Sequence, residues 1–314
     1  MAVVAGPTAS GKSGLGLALA KACNGVVINA DAMQVYRDLA ILTARPSAAD
    51  MAAAPHRLYG ILAADEVCSA KRWRDLAQTE IEAALAAGRL PILVGGTGLY
   101  IKALREGLTP LPAVPAAVRA AATARFEVLG GPAFHAALKK RDPETASGLH
   151  PNDRQRLIRA WEVLEASGLG LAAWRARQAE KSALDCAYRF ATLVVLPPRA
   201  EVYASCDARF VEMVEGGALD EVAALMARNL APELPAMKSL GVPELRRHLL
   251  GEIPLSEAIA DAQRKTRNYA KRQFTWLRHQ VLGNDPACFL LNEQFSESLE
   301  DEIFNKIRQK VLTP

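Results

Sequence analysis

Short apolar runs recur through the first hundred positions of the chain, at Val3–Ala5, Val26–Ala30, Leu58–Leu62 and Pro91–Val94. The stretches between them are richer in helix formers. Leu15–Cys23 is one, and Lys71–Ala87, where alanine, leucine, glutamate and arginine dominate, is another. Strands alternating with helices predict an α/β fold with a doubly wound parallel sheet, its strands buried on both faces. In such sheets ligands lie beyond the carboxyl ends of the strands. The residues directly after each strand are therefore site candidates: the loop from Gly6, Asp31, and Gly95-Gly96-Thr97.

The pattern changes at Thr109-Pro110-Leu111-Pro112, with Pro115 close behind. From Ala116 to about Ala179 the chain reads as helices, broken at Gly130-Gly131-Pro132 and at Leu149-His150-Pro151-Asn152. Ala191–Leu196 predicts one more core strand, ended by Pro197-Pro198, after which helical pattern resumes through Leu282. The expected organisation is a first part of the α/β core at 1–112, a helical insertion at 113–188, completion of the core with basic helices at 189–282, and a motif-free, acid-leaning tail at 283–314. No internal repeat is present.

Composition adds bounds. Half of the 314 residues are apolar and 23% are charged, as in ordinary globular proteins. A net charge of +4 is modest, so a polyanionic partner has to be met by a local patch. The five cysteines, Cys23, Cys68, Cys186, Cys206 and Cys288, form no C-x-x-C pair and meet no histidine cluster, which predicts thiols in a reducing compartment. No apolar run approaches the roughly 20 residues that span a bilayer. The glycine-rich loop begins at residue 6, leaving no room for a signal peptide ahead of it, and a cytoplasmic location is expected.

Gly6-Pro7-Thr8-Ala9-Ser10-Gly11-Lys12-Ser13 follows a strand and opens a helix. That context separates a phosphate-binding loop from a glycine-rich turn that matches by chance. Backbone N–H groups and the helix N-terminus face the anion, Lys12 reaches the outer phosphate, and the Ser13 hydroxyl can hold Mg²⁺. The loop does not say which diphosphate it takes; ATP or another nucleotide fits as well as any other diphosphate ester. Asp31 reads either as a helix N-cap completed by Gln34 or as a general base at the mouth of the sheet. Thr97 reads either as an N-cap or as a hydroxyl donor to phosphate or substrate. Between Arg264 and Arg278 there are six basic residues and no acid: Arg264, Lys265, Arg267, Lys271, Arg272 and Arg278. Arg267, Lys271 and Arg278 share a helical face, and Tyr269 and Trp276 are interleaved with them. A solvated helix face normally mixes signs, so this run favours contact with a phosphate backbone. A second basic segment runs from Asn152 to Arg159. Together these features suggest chemistry on a nucleic acid with a diphosphate as co-substrate or leaving group.

Five ordered motifs carry a resemblance: Gly-Pro-Thr-Ala-Ser-Gly-Lys-Ser at 6–13, Asp-Ala-Met-Gln-Val-Tyr-Arg at 31–37, Gly-Gly-Thr-Gly-Leu-Tyr at 95–100, Asn-Asp-Arg-Gln-Arg-Leu-Ile-Arg-Ala at 152–160 and Ala-Lys-Arg-Gln-Phe-Thr-Trp-Leu-Arg at 270–278. The set resembles the tRNA dimethylallyltransferases (tRNA isopentenyltransferases) of the bacterial type. The resemblance implies a P-loop kinase-like core with a helical insertion domain, and Mg²⁺ as cofactor with Ser13 as metal ligand. The implied reaction moves a dimethylallyl group from its diphosphate to N6 of adenosine 37, beside the tRNA anticodon. By the same resemblance, Gly6 to Ser13 hold the diphosphate, Lys12 stabilises its departure, Asp31 is the base, and Thr97 and Arg119 flank the reacting groups. The implied tRNA contacts are Asp31, Ala32, Met33 and Gln34, then Gln155, Arg156, Leu157, Ile158 and Arg159, then Lys238, and finally Arg267, Lys271 and Arg272. Implied partners are the tRNA anticodon stem-loop and dimethylallyl diphosphate, with no membrane and no protein partner. The chain departs from the family in three places. Ala32 stands where serine is common, Val242 follows Gly241 where tyrosine is usual, and there is no C-terminal Cys/His finger. Competing readings are a small-metabolite kinase using ATP, a non-catalytic RNA-binding nucleotide switch, and prenylation of free adenine nucleotides. The long helical insertion and the basic run weigh against a small acceptor.

Overall fold

The computed structural model describes residues 1–108, 111–179, 188–283, 288–295 and 304–305. Thr109, Pro110, Cys186 and most of the expected tail lie outside the described residues. The chain divides into two compact units, Met1–Arg105 with Tyr188–Pro314, and Glu106–Ala187.

The first unit opens with β1 (Ala2–Ala5), α1 (Lys12–Ala22), β2 (Gly25–Asn29), α2 (Ala48–Ala53) and β3 (His56–Arg57). It continues through α3 (Ala70–Ala86), β4 (Leu90–Gly95) and α4 (Gly98–Glu106). The second unit holds α5 (Ala116–Arg141), α6 (Pro143–Ser147), α7 (Arg154–Ser167) and α8 (Leu171–Ala179). The chain returns to the first unit with β5 (Ala191–Val195), α9 (Arg199–Met213), α10 (Leu219–Ala227), α11 (Val242–Leu249), α12 (Leu255–Leu277) and β6 (Phe289–Leu291).

The sheet runs β3-β2-β4-β1-β5-β6, parallel throughout. Side chains of a strand alternate between its faces, and here the alternation builds two cores. Val3, Ala5, Val26, Ile28 and Leu93 join one cluster with Trp73, Tyr100, Phe210 and Phe274. Ala2, Val4, Val27, Ile92 and Val94 join the other with Leu15 and Leu19 of α1. Both faces are thereby covered, which is why the strands read as continuous apolar runs. The register sets Ala5 beside Gly95 and Val194, and Asn29 beside Val94. The loops after β1, β2 and β4 therefore emerge side by side.

Two expectations shift. The apolar run Leu58–Leu62 is not a strand: β3 is His56–Arg57, and the chain then turns with positive φ at Leu58 and Gly60. Leu58 and Leu62 are buried, so their apolar character reports core packing, and pairing is confined to a single parallel bridge between Leu62 and Tyr36. The segment read as a motif-free tail supplies β6, which adds to β5 with Val194 opposite Leu290. A strand that short leaves little trace in a hydrophobic pattern.

The second unit has its own core of Phe134, Leu138, Leu157, Trp161 and Val163. Its longest helix, α5, is kinked at Gly130, which adopts φ 70° one residue before the Gly131-Pro132 pair. Arg125 and Arg141 stack on Trp161, 4.6 and 5.0 Å from the ring centre.

Candidate active site

The loop after β1 curls at two left-handed positions, Ala9 with φ 60° and Gly11 with φ 85°. Gly11 caps α1, and Lys12 and Ser13 form the first turn of the helix. Gly6 is required by space: a Cβ there would lie 2.5 Å from Ser10 Oγ and 2.8 Å from the Val195 carbonyl. The Lys12 ammonium donates to the Pro7 carbonyl at 3.2 Å. Burial lowers its pKa to about 8, against the pull of the Asp31 carboxylate. A buried cation held this way favours an incoming phosphate strongly.

A cavity of about 440 Å³ opens on this loop, lined by Ser10, Lys12 and Ser13 and across from them by Ser205, Arg209 and Glu212 of α9. Ala44 and Gln294 complete its wall. The Arg209 guanidinium donates to Thr8 Oγ1, and burial lowers its pKa. An arginine does not lose its proton in a protein, so the cavity carries two cations, Lys12 and Arg209, above a helix N-terminus. That is an arrangement for a diphosphate. Arg209 and Gln294 went unnoticed in the sequence, where one lies in a mixed-charge helix and the other in a stretch without a motif.

Asp31 follows β2, and the structure removes the capping explanation. No helix begins there; Asp31 Oδ1 accepts the Met33 N–H at 2.9 Å in a local turn. Gln34, expected to complete a capping box, donates instead to the Thr43 and Ala44 carbonyls, each at 2.9 Å. Buried Asn29 holds the turn from beneath, accepting the Asp31 N–H at 2.8 Å and donating to the Asp31 and Leu58 carbonyls. Trp73 donates to the Asn29 carbonyl and stacks on Tyr100, with ring centres 4.3 Å apart.

Thr97 is half a cap. Its carbonyl accepts the first N–H groups of α4, from Tyr100 and Ile101. Its hydroxyl accepts the Ala32 N–H at 3.0 Å, joining the β4 loop to the Asp31 turn. Where serine is common in the resembled family, Ala32 therefore contributes its backbone. Tyr269 of α12 has its phenol pKa raised by burial and by the Asp31 charge, with a hydrogen bond to Thr97 acting the other way.

Gln273 ties two loops together. Its side-chain oxygen accepts the Thr8 N–H at 2.8 Å and its nitrogen donates to the Gly96 carbonyl at 2.9 Å. The resemblance placed Arg267, Lys271 and Arg272 of this helix on RNA; Gln273, on the same helix, is buried beneath the phosphate loop. Its signal was a polar residue on the apolar stripe of Ala262, Ala270, Phe274 and Leu277. Trp276 is likewise turned inward, its ring occupying the space a Cβ on Gly98 would need.

The basic run is partly neutralised by neighbouring elements. Arg267 donates to both oxygens of Asp207 on α9, at 2.5 and 2.6 Å. Arg264 pairs with Asp261, and Lys265 pairs with the buried carboxylate of Glu244. Lys271 and Arg272 are exposed and pair with no carboxylate among the described residues. Lys238 is exposed at the end of the short Ala236–Lys238 turn. Val242, in the place where tyrosine is usual, is fully buried at the start of α11.

In the second unit Arg119 stands exposed in the first turn of α5. Gln155, Arg156 and Arg159 lie on the outer side of α7, with Arg156 close to Asp153 and Arg159 paired to Glu162. Leu157 and Ile158, expected among the RNA contacts, are core residues of this unit, 0% and 6% exposed. Their side chains are committed to packing because they lie on the face of α7 turned away from Arg156 and Arg159.

A family model described as IPP transferase matches residues 34–280. The chain is similar to the tRNA dimethylallyltransferase of Rhodospirillum centenum, 57% identical over 279 residues that cover 89% of this chain and 88% of the relative. Among solved structures it is similar to the full-length tRNA isopentenylpyrophosphate transferase of Bacillus halodurans, with 32% identity, TM-score 0.68, and coverage of 99% of this chain and 97% of the other. A eukaryotic dimethylallyltransferase, solved acting on tRNA, superposes with TM-score 0.82 at 25% identity, covering 100% of this chain and 80% of its own.

Proposed function

The chain belongs to the IPP transferase family of tRNA-prenylating enzymes, and from that membership we propose that it transfers a dimethylallyl group from dimethylallyl diphosphate to N6 of adenosine 37, next to the tRNA anticodon. The observation that carries this reading is the placement of Asp31 and Thr97 at one end of the sheet, joined through Ala32, beside a cavity lined by Lys12 and Arg209.

The exocyclic amine of adenine is a poor nucleophile, because its lone pair is delocalised into the ring. Asp31 takes a proton from N6 as the nitrogen attacks the allylic carbon. The carbon–oxygen bond to the diphosphate breaks, and the electron pair leaves with the diphosphate. Lys12, Arg209 and the loop N–H groups stabilise the charge that develops there. Thr97 holds the turn that carries Asp31, and Tyr269 lies against both. The adenine has to leave the anticodon-loop stack to reach this site, as in other base-modifying enzymes. Exposed Lys271 and Arg272 would meet the phosphate backbone.

The donors present suit Mg²⁺. The Ser13 hydroxyl and the Glu212 carboxylate both line the cavity, and hard oxygen donors with substrate phosphates are what this ion takes. No cluster of His, Cys, Asp or Glu among the described residues could hold a metal on protein ligands alone. Ser13 and the diphosphate would therefore hold the ion. Bound there, it adds charge neutralisation at the leaving oxygens. Among the described residues no helix is long and apolar enough to cross a membrane, in keeping with action on a soluble RNA.

The test is direct. Purified protein, dimethylallyl diphosphate and unmodified tRNA should yield N6-dimethylallyladenosine at position 37 on nucleoside mass analysis. Transfer to free adenine nucleotides alone, or modification at another position, would refute the assignment.

A further inference from the structure

Glu221 lies in the first turn of α10, and nothing in the chemistry above uses it. Its carboxylate accepts three successive backbone N–H groups. Oε1 takes those of Ala40 at 2.5 Å and Ile41 at 2.8 Å, and Oε2 takes that of Leu42 at 2.9 Å. The segment from 37 to 46 contains neither helix nor strand, so these donors have no ladder to join. Charge-assisted bonds to consecutive amides define a nest and fix the local backbone.

The fixed turn leads to the active site. Its own backbone closes through Ala44 N–H on Ile41 and Arg45 N–H on Ala40, at 2.9 and 3.0 Å. It then presents the Thr43 and Ala44 carbonyls to the side-chain nitrogen of Gln34. Both N–H bonds of that amide are thereby taken, which leaves Oε1, an acceptor, as the part of the amide those bonds do not use. Gln34 is three residues beyond Asp31 in the same irregular segment. Ala44, at the far end of the turn, lines the diphosphate cavity.

Glu221 reaches the turn because the chain bends between α9 and α10. Val214–Ala218 is a π-type turn, and Gly217 adopts φ 102°. A Cβ at Gly217 would lie 3.6 Å from Ile41 Cδ1, so the bend and the turn are in direct packing contact. Single π-type turns of this kind concentrate at functional sites. At the other end of α10, Arg228 donates to Asp38 at 2.7 Å and Asp65 at 3.1 Å, holding the start of the same segment.

We propose that Glu221 is a positioning residue for the acceptor base. Its carboxylate sets the 40–44 turn, the turn fixes the Gln34 amide through its nitrogen, and the amide oxygen accepts a hydrogen bond from the second N6 hydrogen of the adenine whose first N6 proton goes to Asp31. The inference rests on the reading of the Asp31 turn as the acceptor side of a tRNA prenyltransferase.

A mutant cycle on the full-length protein tests it, with kcat/KM for tRNA and the calorimetric Kd for dimethylallyl diphosphate measured on each member. Glu221→Ala frees the turn and should lower kcat/KM for tRNA by about 10²-fold, the cost of a reacting group displaced by about 1 Å. Glu221→Gln keeps an oxygen for two of the three N–H groups and should lose only about tenfold. The Kd of the diphosphate should change by no more than about threefold, well below the loss for tRNA, because Ala44 borders its cavity only through a small apolar side chain while its charge partners Lys12 and Arg209 are untouched. In a Gln34→Ala background the same Glu221 changes should cost less than about threefold, since the group they orient is gone. If Glu221→Ala does not fold, the Glu221→Gln arm carries the same cycle. Unchanged kcat/KM, additive losses in the cycle, or an equal loss of diphosphate binding would each overturn the proposal. Wild-type protein that transfers no prenyl group to tRNA would overturn the underlying reading and this one with it.

Discussion

Asp31 uses one carboxylate oxygen to accept the Met33 N–H, and its second oxygen has no protein partner among the described residues. An asparagine can reproduce the first contact but cannot take a proton. Asp31→Asn should therefore fold and bind tRNA normally while transfer falls by roughly 10² or more; single-turnover rates with saturating tRNA check this, and wild-type-like turnover would return Asp31 to a turn-forming role. Lys12 gives a second residue-scale prediction, in pH. Its folded pKa of about 8 lies below the ordinary lysine value near 10.5. Between those values the unfolded chain holds a proton that the folded one lacks, so this group makes the ligand-free fold more stable as pH rises through the window. Binding runs the other way. The diphosphate needs the ammonium, so its affinity should fall by up to about tenfold per pH unit above 8. Lys12→Met should abolish the stability gain relative to wild type, and Lys12→Arg, charged throughout, should flatten the binding profile. Denaturant titrations and calorimetry across pH 7 to 10 read both.

At the scale of elements, α12 does two different jobs on its two faces. The inner face carries Gln273 to the loops after β1 and β4. Gln273→Leu fills similar space but leaves the Thr8 N–H and the Gly96 carbonyl without partners, so it should cost about 1–3 kcal/mol in denaturant unfolding and weaken diphosphate binding. The outer face carries Lys271 and Arg272, free of carboxylates among the described residues. Replacing both by alanine should reduce the slope of log K for tRNA against log salt by about 1.4–1.8. Arg267→Ala should leave that slope nearly unchanged, because its charge is already met by Asp207. Filter binding over a salt series separates the two cases; a full unit of slope lost in Arg267→Ala would show that the Asp207 pair opens for RNA.

For the whole molecule, a parallel sheet covered on both faces concentrates its chemistry at the carboxyl end of its strands, and what enters there decides the class of enzyme. Gln294 lines the cavity beside the phosphate loop, and the Phe295 ring lies over Gly14, 3.4 Å from where its Cβ would stand. Dimethylallyl diphosphate with Mg²⁺ should raise the melting temperature by mass action, by an amount equivalent to about 2.7 kcal/mol at 100 times its Kd. Equimolar ATP should do much less, and Lys12→Ala should abolish the shift. A larger shift with ATP than with the prenyl diphosphate would contradict the proposed donor.

The sequence by itself determined the alternation of strands and helices, the phosphate loop, the helical insertion, and Asp31 and Thr97 as residues at strand ends. These are legible because hydrophobic period, glycine spacing and helix propensity act over a few residues and leave their mark locally. It placed one strand at Leu58–Leu62 where the residues are apolar because they are buried and only Leu62 pairs, in a single bridge. What only the tertiary structure decided is who meets whom across the chain. Arg209 reaches Thr8 across 201 positions, Gln273 reaches Thr8 across 265, and Glu221 reaches Ala40 across 181. Arg267 looked free because Asp207 lies on another helix. Whether Asp31 and Thr97 cap a helix with their side chains was equally undecidable in one dimension. A helix cap and an irregular turn use the same residue types, and they differ only in which N–H group the folded chain brings to the side-chain oxygen.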